Sequence, residues 1–188
     1  MTLLEEIRPG FFELPEIKNM PEDWGVFEEM ILELKDFDNK NYINCNFSKD
    51  AVLKKYEGPI EKLHEAVAKV DEDWIKFFNA KDEIYVMMLG DEIASFCLID
   101  YFGIHKWKEE KVKIGGPGCV GTVPEFRRQG IGLLMVGNVT LILKERGYDI
   151  SYIHWTAVSD WYEKLGYQTI IRWNKNGIIK DYSLGNLA

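Results

Sequence analysis

Apolar residues recur along this chain at two spacings, and the switches between them divide it into elements. Residues 24–35 place Phe27, Met30, Ile31 and Leu34 on one helical face, which predicts an amphipathic helix. Tyr42, Asn44 and Asn46 then alternate with Ile43, Cys45 and Phe47 at the strand period of two. Ser48 follows as a helix N-cap before Ala51-Val52-Leu53. Gly58-Pro59 breaks that segment and starts a helix whose buried stripe is Ile60, Leu63, Ala66, Val67 and Val70. From Asp71 a further turn or two carries Trp74, Ile75, Phe77 and Phe78. Residues 84–89 and 93–102 are apolar runs joined by Gly90-Asp91-Glu92, a hairpin signal. The charged stretch 106–113 reads as a loop. Residues 8–23, punctuated by Pro9, Pro15 and Pro21, read as irregular with a short strand at 11–14.

The second half is more regular. Residues 112–123 form a β-prone run, but Gly115, Gly116, Pro117, Gly118 and Gly121 forbid even pairing, so a bulge or a parting from the neighbouring strand is expected. Residues 130–146 are apolar nearly all round and should be a buried helix, ended by Lys144, Arg146 and Gly147. A strand at 150–155 leads to a short helix at 160–165, capped by Ser159 and stopped by Gly166. Segments 168–173 and 178–184 flank Asn174-Lys175-Asn176-Gly177, a closing hairpin. Hairpins alternating with single helices predict an α/β (α+β) fold, a mixed sheet with helices on both faces. At 188 residues, without internal repeats, the chain reads as one domain over 1–188.

Composition narrows the partners. A net charge of −8 argues against nucleic acid. Cys45, Cys97 and Cys119 have no C-x-x-C spacing, and read as reduced thiols of a cytoplasmic protein, neither a disulfide frame nor a zinc site. His64, His105 and His154 lack metal-ligand spacing, so no metal is expected. The N-terminus has no leader pattern, and no apolar run approaches the roughly 18 residues of a membrane span, so no membrane association is expected. Homodimer formation is left open.

Chemistry concentrates in residues 116–133, GPGCVGTVPEFRRQGIGL. Gly116 to Gly121 satisfies G-x-G-x-x-G, but Thr122-Val123-Pro124 follows where a dinucleotide fingerprint requires a helix, so that reading is rejected. No phosphate-loop motif is present. What remains is a β run, a Pro124 turn and then Arg127-Arg128-Gln129-Gly130-Ile131-Gly132 opening a helix. Unpaired amides at the positive end of such a helix suit a pyrophosphate, with glycine permitting close approach and arginine adding charge.

This stretch resembles the acyl-CoA-binding motif of the GNAT superfamily of N-acetyltransferases, with Arg127, Gly130 and Gly132 on the motif positions. Trp161-Tyr162-Glu163-Lys164-Leu165-Gly166-Tyr167 is similar to a second segment of that family, and the two matches cover about residues 84–174. The resemblance implies a mostly antiparallel sheet with a splayed strand pair that receives the pantetheine arm. It divides the chain into an acceptor-side segment, 1–82, and an acyl-CoA-binding core, 83–188. Acetyl-CoA would be held by Arg127, Arg128, Gln129, Gly130, Ile131, Gly132 and Leu133, with the backbone of Val120, Gly121 and Thr122 lining the pantetheine and polarising the carbonyl. Gly121 and Thr122 depart from the branched aliphatics usual there. Tyr162 matches the tyrosine that protonates the leaving thiolate. His154, at the end of the preceding strand, is the candidate base, since imidazole ordinarily titrates near pH 6.5.

The function these readings imply is acetyl transfer from acetyl-CoA to a primary amine of a small molecule or peptide, by direct attack in a ternary complex. The alternative is a catalytically degenerate acyl-CoA-binding sensor or scaffold.

Overall fold

The longest pairing in the chain is a hairpin of strands β4 (Glu92–Trp107) and β5 (Glu110–Thr122). Its turn residues Lys108 and Glu109 both have positive φ, 46° and 69°, the backbone that matches the twist of a two-residue hairpin. The charged stretch 106–113 is therefore the tip of a hairpin and not a loop. The computed structural model describes residues 2–38 and 50–183. The expected strand around Cys45 and the Ser48 cap lie outside the described residues.

Six further strands complete an eight-stranded sheet among the described residues: β1 (Phe27–Glu33), β2 (Ala51–Lys55), β3 (Ile84–Leu89), β6 (Ile150–Thr156), β7 (Gln168–Asn174) and β8 (Gly177–Asp181). The order is β2-β3-β4-β5-β6-β1-β7-β8. Every neighbouring pair is antiparallel except β5 and β6, which run parallel. The first strand of the chain thus sits between two of the last, deep in the sheet.

Helices cover both faces. One face carries α4 (Ile131–Glu145), whose Ile131, Met135, Val139 and Leu143 pack on Tyr85, Met87, Cys97 and Ile99. The opposite face carries α3 (Ile60–Ala68), with Leu63 and Val67 on Ile84, Val86, Phe96 and Leu98. Alternate strand residues reach the two helices, as the pleat requires. Further along that second face, α1 (Leu3–Ile7), a 3-10 turn at Phe11–Glu13 and α2 (Pro15–Lys18) cover Trp173, Tyr152 and Ile171. Phe11 anchors them, edge-on to Trp173 at 4.9 Å. At the far end of α4, Arg146 bonds Glu83 through Nη2 (2.7 Å) and Nη1 (3.0 Å) and holds its carboxyl down to about 2. This pair pins the helix to the start of β3. A depressed carboxyl of this kind adds stability above its ordinary range, and loses it as pH falls toward 2. Among the described residues, no helix is long and apolar enough to cross a membrane.

Three further expectations need correction. Residues 24–35 are mostly strand β1, not helix. A central strand is buried on both faces and loses clean alternation, and a register shift between Glu29 and Met30 gives its apolar positions a helix-like spacing. Residues 51–53 belong to the edge strand β2, where half-buried Ala51 and Leu53 alternate with exposed Val52 and Lys54. Residues 11–14 form a 3-10 turn, since Pro15 opens α2 immediately afterwards. The expected irregularity of 112–123 is present. β5 pairs with β6 at only two positions, Ile114 with Ile150 and Gly115 with Ser151, and then the strands part. Register also slips opposite Cys97, where Cys119 takes φ 45°.

The parting is built on Gly116. A Cβ there would lie 1.8 Å from the Tyr152 carbonyl oxygen. Backbone cannot yield as a side-chain tip does, so Gly116→Ala should destabilise the fold by at least about 2 kcal/mol. Denaturant unfolding measures this, and wild-type stability in the variant would show that β6 is free to move.

Candidate active site

Pro124 ends β5 and starts a 3-10 turn, Pro124–Phe126. Arg127 then turns back, its Nε donating to the Thr122 carbonyl at 2.9 Å. This bond ties the strand end to the turn. Arg128 (φ 63°) and Gly130 (φ 74°) are both left-handed, and the chain re-enters helix at Ile131. Gly130 is the N-cap of α4 and offers no side-chain oxygen to the first-turn amides. Fifteen residues of helix therefore end on uncapped N–H groups, the positive pole that an anionic oxygen can satisfy.

Beside this terminus lies a cleft of about 440 Å³ lined by Val120, Thr122, Arg127, Arg128, Gly130, Ile131, Gly132 and Leu133, with Phe126, Val158, Trp161 and Tyr162. The structure thus brings together most of the predicted cofactor residues and one predicted catalytic residue. Gly121 and Gln129 are not among its walls. Gly121 faces the other side of the sheet, where a Cβ would fall 2.2 Å from the Phe96 ring, and its carbonyl accepts from Ser95 Oγ at 2.6 Å. Gln129 turns back toward the Glu125 carbonyl, 3.5 Å away. Gly132 keeps the cleft open, because a Cβ there would reach Thr122 Oγ1 at 2.6 Å and Trp161 at 3.2 Å.

Tyr162 sits in α5 (Ser159–Glu163), edge-on to Trp161 at 4.9 Å and to Tyr167 at 5.9 Å. Ser159 is inside this helix and does not cap it; Val158 is the N-cap residue, its amide held by Thr156 Oγ1 at 3.1 Å. Burial, with smaller contributions from Tyr167, Cys97 and Cys119, raises the Tyr162 phenol well above its usual range. At neutral pH it is therefore a proton donor and not a base.

His154 is on the other side of the sheet. It follows Tyr152 on the face covered by α1 and Phe11, whereas Tyr162 packs with Met30, Val136 and Ile153 on the α4 face. The two predicted catalytic residues are separated by the sheet itself, at the place where β5 has left β6. His154 is held by a residue the sequence did not signal. Glu29 of β1 is fully buried and accepts His154 Nδ1 at 2.8 Å, Trp173 Nε1 at 2.7 Å and the Trp155 amide at 3.2 Å, with the Tyr152 hydroxyl as a fourth donor. Trp155 aims its amide there by adopting φ 55°. A carboxylate in apolar surroundings persists only when its lone pairs are filled, and these four donors fill them. The arrangement leaves Nε2 of His154 as the atom free to exchange a proton. Asp100 of β4 also points to this face, and a Cβ at Gly118 would lie 2.0 Å from its Oδ2. Asp100 carries one faint sequence signal, a lone carboxylate within an apolar run, whereas Glu29 follows Glu28 and has none.

The other two histidines bond backbone carbonyls away from the cleft. His64 Nε2 bonds the Phe78 carbonyl at 2.8 Å, and His105 lies 2.5 Å from the Phe102 carbonyl. Cys119 lies on β5 just beyond its last pairing with β6, and burial pushes its thiol up to about 12. It is protonated at neutral pH and a poor nucleophile. Among the described residues, no His, Cys, Asp and Glu group could hold a metal.

Comparison with known proteins agrees with this geometry. A family model for the acetyltransferase (GNAT) domain matches residues 80–169, a span holding every cleft residue, Asp100 and His154. Among solved structures, the chain is similar to a GCN5-related glucosamine N-acetyltransferase region in a fungal multi-domain GH3 β-N-acetylglucosaminidase, with 21% identity, a TM-score of 0.66, 80% of this chain covered and 20% of that one. It also resembles a conserved protein of unknown function from Staphylococcus epidermidis (15%, TM-score 0.53, 77% and 57%). A third is a GCN5-related N-acetyltransferase from Kribbella flavida (21%, TM-score 0.50, 62% and 33%). The chain spans less than two thirds of each of these, and at such identities the likeness is one of fold. Comparison with curated proteins gives no match.

If the α4 terminus binds a pyrophosphate, charge at position 130 should matter more than shape. Asn and Asp both tolerate the left-handed backbone of Gly130 and are nearly isosteric. Gly130→Asp should bind acetyl-CoA at least tenfold more weakly than Gly130→Asn, about 1.4 kcal/mol by calorimetry. Equal affinities would place the anion elsewhere.

Proposed function

We propose that this chain, a member of the GCN5-related N-acetyltransferase superfamily, transfers an acetyl group from acetyl-CoA to a primary amine by direct attack in a ternary complex. The observation that carries this reading is the cleft at the uncapped start of α4, which runs to Tyr162 beside the parting of β5 from β6. The amides of Ile131, Gly132 and Leu133, with Arg128 at the lip, are placed to hold the pyrophosphate. Val120 and Thr122 line the proposed path of the pantetheine, and the register slip of β5 between Gly118 and Gly121 marks the stretch whose amides would meet the thioester oxygen as it gains charge.

The acceptor approaches from the opposite face, under the N-terminal segment 1–82, which contributes Glu29 and the helices around it. His154, oriented through Nδ1 by Glu29, takes a proton from the amine at Nε2 as nitrogen adds to the acetyl carbon. Tyr162 gives its proton to the departing sulfur from the cleft side. Two protons leave the ammonium in all: one replaces that lost by Tyr162 and one passes to solvent. Direct attack is favoured over an acyl-cysteine route because Cys119 is a protonated thiol at neutral pH.

Tyr162→Phe removes one hydroxyl and keeps the ring. Its turnover number should fall at least about tenfold, within the usual contribution of a general acid, while acetyl-CoA affinity holds. Wild-type turnover with chemistry rate-limiting would remove Tyr162 from the mechanism.

His154→Gln should abolish the acidic limb of the rate profile, because the group that must be deprotonated is gone. Glu29→Gln keeps the shape but not the charge. It should lower turnover in the same assay and leave acetyl-CoA binding intact. If Glu29→Gln and His154→Gln each lower turnover independently and multiplicatively, the two do not act as a unit. Acetyl-CoA binding without thiol release from any amine would identify a sensor in place of an enzyme.

A further inference from the structure

On the face that carries His154, two more charged groups border the gap. Asp100 projects over β5 where that strand presents only backbone, Gly116 and Gly118. Among the described residues nothing donates a hydrogen bond to its carboxylate. Asp100 lines a cleft of about 680 Å³ with Lys55, Lys76, Lys81 and Asp82. Arg8, just after α1, lies over Phe102, the next residue on this face of β4, with 5.7 Å from its guanidinium carbon to the ring centre. Its Nε is buried without an acceptor. Phe102 packs edge-on to Tyr152 at 5.1 Å, and Tyr152 stacks on His154 at 6.2 Å.

A carboxylate, a guanidinium and a held imidazole therefore border one patch of sheet beside the gap. Asp100 and Arg8 are close enough that Arg8 and His154 oppose the rise that burial imposes on the Asp100 carboxyl. Yet the two do not close an ion pair, and the Arg8 Nε and the Asp100 carboxylate each keep unused bonding capacity.

We propose that the acceptor is a small zwitterion, a primary amine carrying a carboxylate, whose ammonium is held by Asp100 beside His154 and whose carboxylate pairs with Arg8. The proposal rests on the acetyl-transfer reading above and names its acceptor class. A diamine would set its second positive charge against Arg8, and a simple alkylamine would leave the buried Nε unsatisfied, which is costly. The zwitterion matches both poles. The step balances: the ammonium loses one proton through His154 to solvent, and the freed lone pair forms the C–N bond as the C–S bond breaks. The sulfur leaves with the Tyr162 proton, and the second nitrogen proton restores Tyr162. The products are the N-acetylated acid and free CoA.

Matched pairs test this: phenylalanine against 2-phenylethylamine, and lysine against 1,5-diaminopentane, with CoA thiol release read at saturating acetyl-CoA. At least one amino acid should exceed its decarboxylated partner by about tenfold or more in kcat/KM, since a site built to pair a polar group rejects the analogue lacking it. Arg8→Met should bring that ratio to within about threefold of unity, and Arg8→Lys should restore part of it. Asp100→Asn should lower kcat/KM for both members of a pair. Acetyl-CoA affinity, measured by calorimetry, should be unchanged in all three. Preference for the decarboxylated amines, a ratio that survives Arg8→Met, or no turnover of either amino acid would overturn the proposal. Failure of the wild-type protein to bind acetyl-CoA would instead overturn the acetyl-transfer reading beneath it.

Discussion

The site depends on one constraint in the backbone: β5 can follow β6 for two residues and no further. At Gly116 the strands are so close that no Cβ fits against the Tyr152 carbonyl, and beyond it Pro117, Gly118 and the left-handed Cys119 carry β5 away. A sheet normally separates its two faces completely. Here the separation is lifted at one place, and the groups on either side are those the proposed reaction would use. The α4 face carries the uncapped start of a helix and Tyr162, the acid of the proposed reaction. The opposite face carries His154, the base of the proposed reaction, and the side from which its acceptor is proposed to enter. Acyl transfer between two substrates that enter from different sides is a natural use of such a gap.

Glu29 is the second organising element. Strand β1 comes from the start of the chain and inserts between β6 and β7, which brings a carboxylate into the middle of the aromatic cluster of Phe11, Trp155 and Trp173. Burying that charge costs several kcal/mol unless it is fully bonded. The donors that bond it fix the tautomer and ring position of His154, so the stability of the cluster and the orientation of the base are the same set of contacts. On the proposed reading the N-terminal segment is thus part of the site through Glu29 and Arg8, and not only a cover for the core.

How much of this could be read from sequence depended on distance along the chain. The turn into α4 was legible because proline, arginines and glycines sit within nine residues and each has a local meaning. The hairpin of β3 and β4, the buried helix α4 and the irregular β5 were legible for the same reason. The role of Glu29 was not, since its partner His154 is 125 residues away. Residues 24–35 were misread as helix because their fate is set by strands at 150–156 and 168–174, and a register shift disguised the alternation. Asp100 and Arg8 likewise take their meaning from neighbours that only folding supplies.

A crystal structure with bound CoA tests the central claim most directly. The account predicts the pyrophosphate on the amides of Ile131, Gly132 and Leu133, the pantetheine between β5 and β6, and the sulfur within hydrogen-bonding reach of the Tyr162 hydroxyl. A cofactor seated in the Asp100 cleft, or lying along the α4 face with its sulfur away from the gap, would contradict it.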